Sequence, residues 1–127
     1  MAIPSGSGTE VLKRTTIHSQ ANTETAFRWD GTMATTGTAT YTVPALHIIT
    51  VLSVIICDQW GTESTVEMDI NDGANDIYLL QSQTIGPFET FVWNDRFVLI
   101  GGDKLLVNCG VAGNLDFLVS YIDQDWT

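Results

Sequence analysis

The sequence predicts an all-β fold: a single-domain antiparallel β-sandwich, jelly-roll-like, with eight to nine strands. The first observation is an apolar run at 46–57, "LHIITVLSVIIC", in which most residues are β-branched and therefore favour strands over helices. The second is that short apolar segments separated by turn residues recur along the chain. The third is that apolar residues nowhere follow helical spacing among good helix formers.

The predicted strands follow one another at short intervals. They lie at 11–17, 38–43, 46–57, 64–70, 76–80, 90–93, 96–100, 104–109 and 115–122. Asn, Asp and Gly tolerate the positive φ of tight turns, so "NDGAND" at 71–76 predicts a hairpin, and "WND" at 93–95 is interpreted in the same way. The glycines of 101–103 and 110–114 predict further reversals.

The run at 46–57 is too short to cross a membrane, which takes about 20 apolar residues. Because apolar residues occupy both the odd and the even positions of this run, both faces of the strand must be covered. Strict alternation puts Ile49, Val51 and Ile55 on one face, and we consider the case in which this face packs inside the sandwich. The opposite face, for which a neighbouring subunit is the expected cover, then carries Ile48, Leu52, Val54 and Ile56.

Two segments lie outside the strand pattern. Residues 1–8, "MAIPSGSG", have the small, Pro-containing composition of a flexible arm, with a disordered terminus as the alternative. We divide the chain into an N-terminal arm at 1–10 and a β-sandwich domain at 11–127. The loop at 19–37 is long and Thr-rich, and such loops are functional or pack over a core; its apolar residues are Phe27, Trp29 and Met33.

The charge of the chain excludes some partners. It has 15 acidic against 5 basic side chains and a formal net charge of -10, which repels nucleic acid and anionic membrane surfaces. Assembly onto a partner with basic patches is compatible with this charge. The N-terminus lacks the pattern of a secretory signal, which predicts synthesis and residence in a cytoplasm.

The sequence indicates no catalytic, cofactor or metal site. From Asp69, the spacing of an EF-hand loop fails, because Gly73 and Leu80 fall where ligands are needed, although this acidic hairpin could loosely attract a divalent ion. His47 and Cys57 lie too far apart on one strand to act together. In a reducing compartment the two cysteines are expected to be small buried hydrophobes, and whether Cys57 and Cys109 pair stays open.

Four tryptophans leave two interpretations open. Aromatic side chains near turns can stack on sugars, and they are also enriched in cores and subunit interfaces. The tryptophans are Trp29, Trp60, Trp93 and Trp126. We favour core or interface over a ligand platform.

Several motifs together resemble small β-sandwich virion structural proteins of tailed bacteriophages. These are "YTVPALHIITVLSVIICDQ", the "INDG" hairpin with "IYLL", the pair "FVWNDRFVLIGGDKLLV", and the closing "LDFLVSYID". The resemblance covers about 38–122 and includes no binding motif. It implies a non-enzymatic domain carried on a phage particle, often as a trimer, that serves as a capsid decoration or cement protein or as part of a fibre.

The first functional hypothesis is a capsid decoration protein, present in the virion after synthesis in the host cytoplasm. Its partners would be the major capsid protein or another virion protein and further copies of the same chain, with a trimer favoured. The alternative is a receptor- or glycan-binding module of a head or tail fibre, and an enzyme is a residual third. The candidate interface residues are Ile3, Pro4, Trp29, Ile48, Leu52, Trp60 and Trp126.

Overall fold

The computed structural model describes residues 8–111 and 113–127, and these residues form an all-β sandwich without a helix, as the sequence predicts. Nine strands make two antiparallel sheets. The strands are β1 Thr9–Gln20, β2 Thr25–Ala26, β3 His47–Asp58, β4 Ser64–Asn71, β5 Asp76–Ile85, β6 Thr90–Trp93, β7 Phe97–Ile100, β8 Lys104–Cys109 and β9 Leu115–Asp125. Of the predicted arm, residues 1–7 lie outside the described part, and β1 already begins at Thr9.

The two sheets differ in the length of their strands. In the five-stranded sheet β1, β9 and β3 lie side by side, and both β6 and β7 pair with the far edge of β3. The four-stranded sheet has the order β2-β8-β4-β5. From β1 to β4 the chain alternates between the sheets, and this jelly-roll-like winding encloses one core between two layers.

Aromatic side chains fill much of that core. The rings of Trp29 and Tyr121 lie perpendicular with their centroids 4.9 Å apart, and Phe27 meets Phe117 edge to face at 5.9 Å. Each fully buried large apolar side chain stabilises the fold by about 1.5–3 kcal/mol. The loop after β2 thus packs over the core through Phe27 and Trp29, one of the two roles expected for it.

The strand predicted at 38–43 is wrong. These residues run as an irregular connection, with the N–H of Ala26 donating to the Thr38 carbonyl at 2.9 Å and the N–H of Val43 donating to Asp103 at 2.8 Å. Val43 is buried and Tyr41 packs against the core, so the apolar alternation reflects contact with the core and no hydrogen-bonded ladder. Strand β2 was not predicted, because two residues carry no periodicity.

The hairpin predicted at 93–95 is also wrong. Trp93 pairs with Val54, and Phe97 pairs with Val51, so β6 and β7 continue along the same edge of β3. The residues between them interrupt one line of pairing and do not reverse the chain. The polar "WND" sequence has turn-forming residues in both situations, and local chemistry alone cannot distinguish an interruption from a reversal.

A β-bulge divides β3 into two halves. Val51 pairs with Tyr121 of β9 and Ser53 pairs with Ser120, which leaves Leu52 as an extra residue. Beyond the bulge the alternation changes phase, so Val54 and Ile56 are fully buried and Ile55 points outward. The sequence-based assignment of Ile49, Val51, Ile48 and Leu52 to their faces agrees with the structure, whereas the assignment of Val54, Ile55 and Ile56 is reversed.

A buried carboxylate joins three strands at one end of the five-stranded sheet. Asp123 of β9 accepts a hydrogen bond from Lys13 Nζ of β1 at 3.0 Å and lies 2.8 Å from Nδ1 of His47 in β3. The two contacts offset the cost of burying this charge. The contacts of Asp123 with Lys13 and His47 stabilise this end of the sheet.

Candidate interface

The outer face of the five-stranded sheet is the side that points away from the core. Because side chains alternate along strands, register and burial define it. We define the outer face by Glu10, Leu12, Arg14, Thr16 and His18 of β1; Asp116, Leu118, Ser120, Ile122 and Gln124 of β9; Ile48, Thr50, Leu52, Ser53, Ile55 and Cys57 of β3; Thr90 and Val92 of β6; and Val98 and Ile100 of β7.

Apolar residues on the outer face form rows across the strands. One row runs Leu12, Ile122, Thr50 and Val98, and a second runs Thr16, Leu118, Ile55 and Val92. The extra residue Leu52 lies between these rows, beside Ser120. Cross-strand neighbours within each row are in contact, and Arg14, Ser120 and Ser53 lie between the two rows together with Leu52. The outer face is therefore rich in apolar side chains.

This surface is open to solvent in the isolated chain. Leu12 is 70% exposed, Val98 55% and Ile55 37%, and the apolar residues of the central strand β9 are half-buried by their neighbours. Isolated exposed leucines are ordinary, but a contiguous exposed apolar patch marks an interaction site. The outer face is therefore the surface of the described residues that most requires a partner.

The outer face carries little charge. Its acidic residues are Glu10 and Asp116, and its basic residue is Arg14, in a chain with 15 acidic side chains. Glu10 already accepts a hydrogen bond from the amide of Gln124 at 2.7 Å. The face is nearly neutral, in contrast to the chain as a whole.

One end of the outer face holds an aspartate, a histidine and a serine. Asp116 Oδ1 lies 3.0 Å from Nδ1 of His18 and accepts from the N–H of Ser19 at 2.8 Å, and the Ser19 hydroxyl lies 3.3 Å from Nε2 of His18. This order matches a hydrolase triad, but the His18 side chain is 68% exposed, so water screens the pair. Ser19 has a φ of 52° beside a bulge between β1 and β9, and Asp116 binds the amide freed there. We assign the group a structural role.

The other predicted interface residues lie in different places. Ile48 and Leu52 are on the outer face, as the expectation of a covered second face requires. Trp29 is in the core, so its indole is not available to a partner. Trp126 is half-buried near Gly8, and Trp60 lies on a loop. Ile3 and Pro4 fall outside the described residues.

Trp60 is one of two exposed aromatic residues at the same end of the sandwich. Trp60 is 55% exposed and Phe88 71%, and the N–H of Phe88 donates to the Trp60 carbonyl at 3.2 Å. Phe88 has a φ of 58°, a left-handed conformation that is uncommon for a bulky residue. Two exposed rings on adjoining loops are the feature that favours a ligand platform.

The acidic hairpin surrounds a buried carboxyl. Burial and, to a smaller extent, the neighbouring carboxylates of Asp76, Glu24 and Glu67 together raise the pKa of Asp69 to about 6. In the ranges 8–111 and 113–127, no group of three or more His, Cys, Asp or Glu residues is placed to hold a metal ion. The same ranges contain no helix long and apolar enough to cross a membrane.

The two cysteines are both free and have different environments. Cys109 is buried, its thiol lies 3.0 Å from the carbonyls of Gln20 and Val111, and burial raises its pKa to about 11. Cys57 is half-buried on the outer face, in the same row as Asp116 and Thr90. The expectation of small buried residues therefore fits Cys109 better than Cys57.

Sequence reasoning missed most of the outer face. Leu12, Leu118, Ile122, Val92 and Val98 were not among the candidate interface residues. A partial signal exists, because the run at 46–57 is apolar at both odd and even positions and β9 has Leu118 and Ile122 among its polar outward residues. Assigning the neighbours requires the pairing register, which the sequence does not give.

The comparisons with known proteins concern the fold. No family model matches the chain, and no curated protein matches it. A protein of Bacillus endospore appendages, described as disulfide-linked pili, is 16% identical, with 100% of this chain and 97% of that one covered and a TM-score of 0.49. A pentameric capsid protein from metagenomic phage sequences is 14% identical over 93% of this chain, with a TM-score of 0.38.

A third similar structure is the virus-like particle of the extra small virus of the prawn Macrobrachium rosenbergii. It is 8% identical, covers 98% of this chain and 84% of the other, and has a TM-score of 0.44. The present chain spans only 58% of the metagenomic phage capsid protein. Two of the three structures are viral, but at these identities and TM-scores none of them transfers a function to this chain.

Proposed function

We propose that the protein is a bacteriophage virion structural protein, specifically a capsid decoration or cement protein that binds and stabilises the head shell. The observation that carries the structural role is the exposed, nearly neutral outer face with its rows of apolar side chains, which favours a chain that assembles with other chains. A surface of this kind is suited to assembly and offers no enclosed cavity for a substrate. The resemblance to tailed-phage virion proteins gives the setting, and it implies a trimer as the oligomer and the major capsid protein as the partner.

Attachment to the shell would use surfaces other than the outer face. The arm at 1–8, with Ile3 and Pro4, would lie on or between major capsid subunits. The acidic remainder of the chain would face basic patches of the shell, since charge complementarity speeds encounter and fixes register. The role is non-enzymatic, and the protein would reside in the virion after synthesis in the host cytoplasm.

Electron cryomicroscopy of the intact particle tests this proposal. We expect density for the sandwich on the head shell at regular positions. Deletion of residues 1–8 should lower occupancy on purified particles while leaving the circular dichroism spectrum and the melting temperature unchanged. Density at the tail alone, or absence of the protein from the virion, would contradict the decoration role.

A receptor- or glycan-binding module of a phage fibre is the second candidate. The exposed pair Trp60 and Phe88 favours it, because stacking on sugar faces needs accessible aromatic rings. Binding on a glycan array that disappears in Trp60→Ala would support this candidate. Trp29→Ala is not a suitable companion variant, since Trp29 is part of the core.

A further inference from the structure

We infer that the outer face is covered by the outer face of a second copy of this chain, so that two sandwiches pair face to face. This pairing rests on the proposed structural role, since it names the partner that one surface of such a subunit takes, and it replaces the trimer that the resemblance implies with a two-fold pair. It does not depend on which virion protein the assembled pair then contacts. Charge, area and self-complementarity each support it.

The charge distribution favours a second copy over a basic partner. A basic protein is attracted to the acidic parts of this chain, and the outer face holds only Glu10 and Asp116 of its 15 acidic residues. Two chains that each carry a formal charge of -10 repel one another least when their nearly neutral faces meet. Arg14 lies on the edge strand β1, where its guanidinium can stay in water at the rim of the contact.

The area of the outer face is of the right order for such a contact. With strands ~4.8 Å apart and a rise of ~3.4 Å per residue, four strands over positions 10–18 of β1 cover about 500 Å². Protruding side chains such as Leu12 and Val98 enlarge the accessible area above this flat value. A standard protein interface buries roughly 800 Å² on each partner.

The outer face is also its own best match among the described residues. The other strongly exposed apolar side chains are scattered over separate loops, the edge strand β5 and the opposite side of β1: Val11, Met33, Trp60, Ile77, Tyr78 and Phe88. None of these groups offers rows of apolar side chains as wide as the face. Contact between identical surfaces is isologous and produces a two-fold pair, whereas a trimer needs two different surfaces on each copy.

The mass of the full-length protein in solution tests the pairing directly. Light scattering after size-exclusion chromatography, from about 1 µM to about 1 mM, should show a shift from 13.9 kDa toward twice that mass. Leu12→Asp should weaken association about 100-fold, because it places a charge in the contact. The matched control Ile77→Asp alters an equally apolar, exposed residue outside the face and should pair as the natural chain does.

Salt separates this pairing from the capture of a basic partner. Raising NaCl from about 0.05 M to about 0.5 M screens the repulsion between two acidic chains, so the association should hold or tighten. Attraction between an acidic face and a basic one would weaken. Tenfold weaker self-association at the higher salt would overturn the charge argument.

Cys57 provides a probe that is already on the face. Because Cys109 is buried, a maleimide added below the protein concentration should react at Cys57. The rate constant should fall at least about fivefold when the natural chain is concentrated into the paired state, and it should not fall in Leu12→Asp. A rate constant that does not depend on concentration in the natural chain, while the mass doubles, would place the contact elsewhere.

The two proposals fail in different ways. A stable trimer, or a monomer at all concentrations, that still decorates particles would overturn the face-to-face pairing and leave the virion role intact. A two-fold pair that is absent from virions would overturn the virion role and leave the pairing intact. Loss of pairing in both Leu12→Asp and Ile77→Asp, with both variants folded, would show that the contact is not specific to the outer face.

Discussion

The two faces of the five-stranded sheet use similar side chains in different surroundings. Ile49, Val51 and Val54 of β3 point inward and are fully buried under the second sheet, whereas Ile48 and Ile55 of the same strand point outward. The second sheet covers one face, and nothing among the described residues covers the other. An apolar composition thus predicts that a face will be covered. It does not predict whether another part of the same chain or a different chain covers it.

The outer faces of the two sheets differ in a second way. On the five-stranded sheet about half of the outward side chains are apolar, whereas the hairpin of the four-stranded sheet carries Glu67 and the buried Asp69 of β4 and Asp76 at the start of β5. The acidic hairpin therefore lies on the four-stranded sheet, and the rows of apolar side chains lie on the outer face of the five-stranded sheet. The molecule has one side suited to self-contact and one suited to a cationic partner.

The largest expected effect is a difference in unfolding free energy between substitutions at two adjacent residues of β3. Val54→Asp places a charge in the core without a partner and should cost more than about 4 kcal/mol of unfolding free energy, enough to prevent folding. Ile55→Asp places the same charge on the outer face and should change the stability of the monomer by less than about 1 kcal/mol. Urea denaturation below the pairing concentration measures both, and equal losses would contradict the assignment of faces.

A second prediction compares two tryptophans. Trp29→Ala removes a core ring that contacts Tyr121 and should lower the free energy of unfolding by about 3–5 kcal/mol. Trp60→Ala should change it by less than about 0.5 kcal/mol, because the ring is exposed. Thermal unfolding followed by circular dichroism distinguishes them. A fully stable Trp29→Ala would show that this indole is not part of the core.

The smallest expected effect concerns the acidic outer face of the four-stranded sheet. Burial, with help from Asp76, raises the pKa of Asp69 from an ordinary value of 3.8 to about 6. Between those values the folded chain binds a proton that the unfolded chain does not, so stability should rise as the pH falls through about 6 and level off near 4. After allowance for solvent screening the gain is about 1 kcal/mol.

The matched variant for this prediction is Asp69→Asn, which removes the titrating group and nearly keeps its shape. The difference in unfolding free energy between the natural chain and Asp69→Asn should vary from pH 7 to pH 4, and the variant alone should lack this component. Hydrogen bonds lower the pKa of other carboxyls, such as Asp30 and Asp72, so the stability that these groups contribute is lost only at more acidic pH. Their contribution is the same in the natural chain and in Asp69→Asn, and it cancels when the two unfolding free energies are subtracted.

The fold class could be predicted from the sequence, because strand periodicity and β-branching are local properties. The bounds of β6 and β8 were correct to the residue, and β3 was displaced by one. Residues 38–43 show the limit of this reasoning. Val43 is buried in the core as it would be in a strand, and only hydrogen bonding to a distant partner distinguishes the two cases.

The candidate interface could be predicted only in part. That the run at 46–57 needs cover on both faces follows from its composition, and Ile48 and Leu52 were placed on the correct side. The phase change at the bulge depends on pairing with β9, so Val54, Ile55 and Ile56 could not be placed by counting. Trp29 was a candidate interface residue and lies in the core. An aromatic residue in a polar loop has the same local sequence in both situations, so the sequence alone does not distinguish them.

The bulge at Leu52 has a consequence for how sequences of this kind should be aligned. Since Leu52 is the extra residue, a relative that lacks it would keep every other side chain of the strand on the same face, and the strand would only become straighter. A gap of one residue anywhere else between 47 and 58 would exchange core and surface residues over part of the strand. Position 52 is therefore the place in this strand where natural variation in length can occur without loss of the fold.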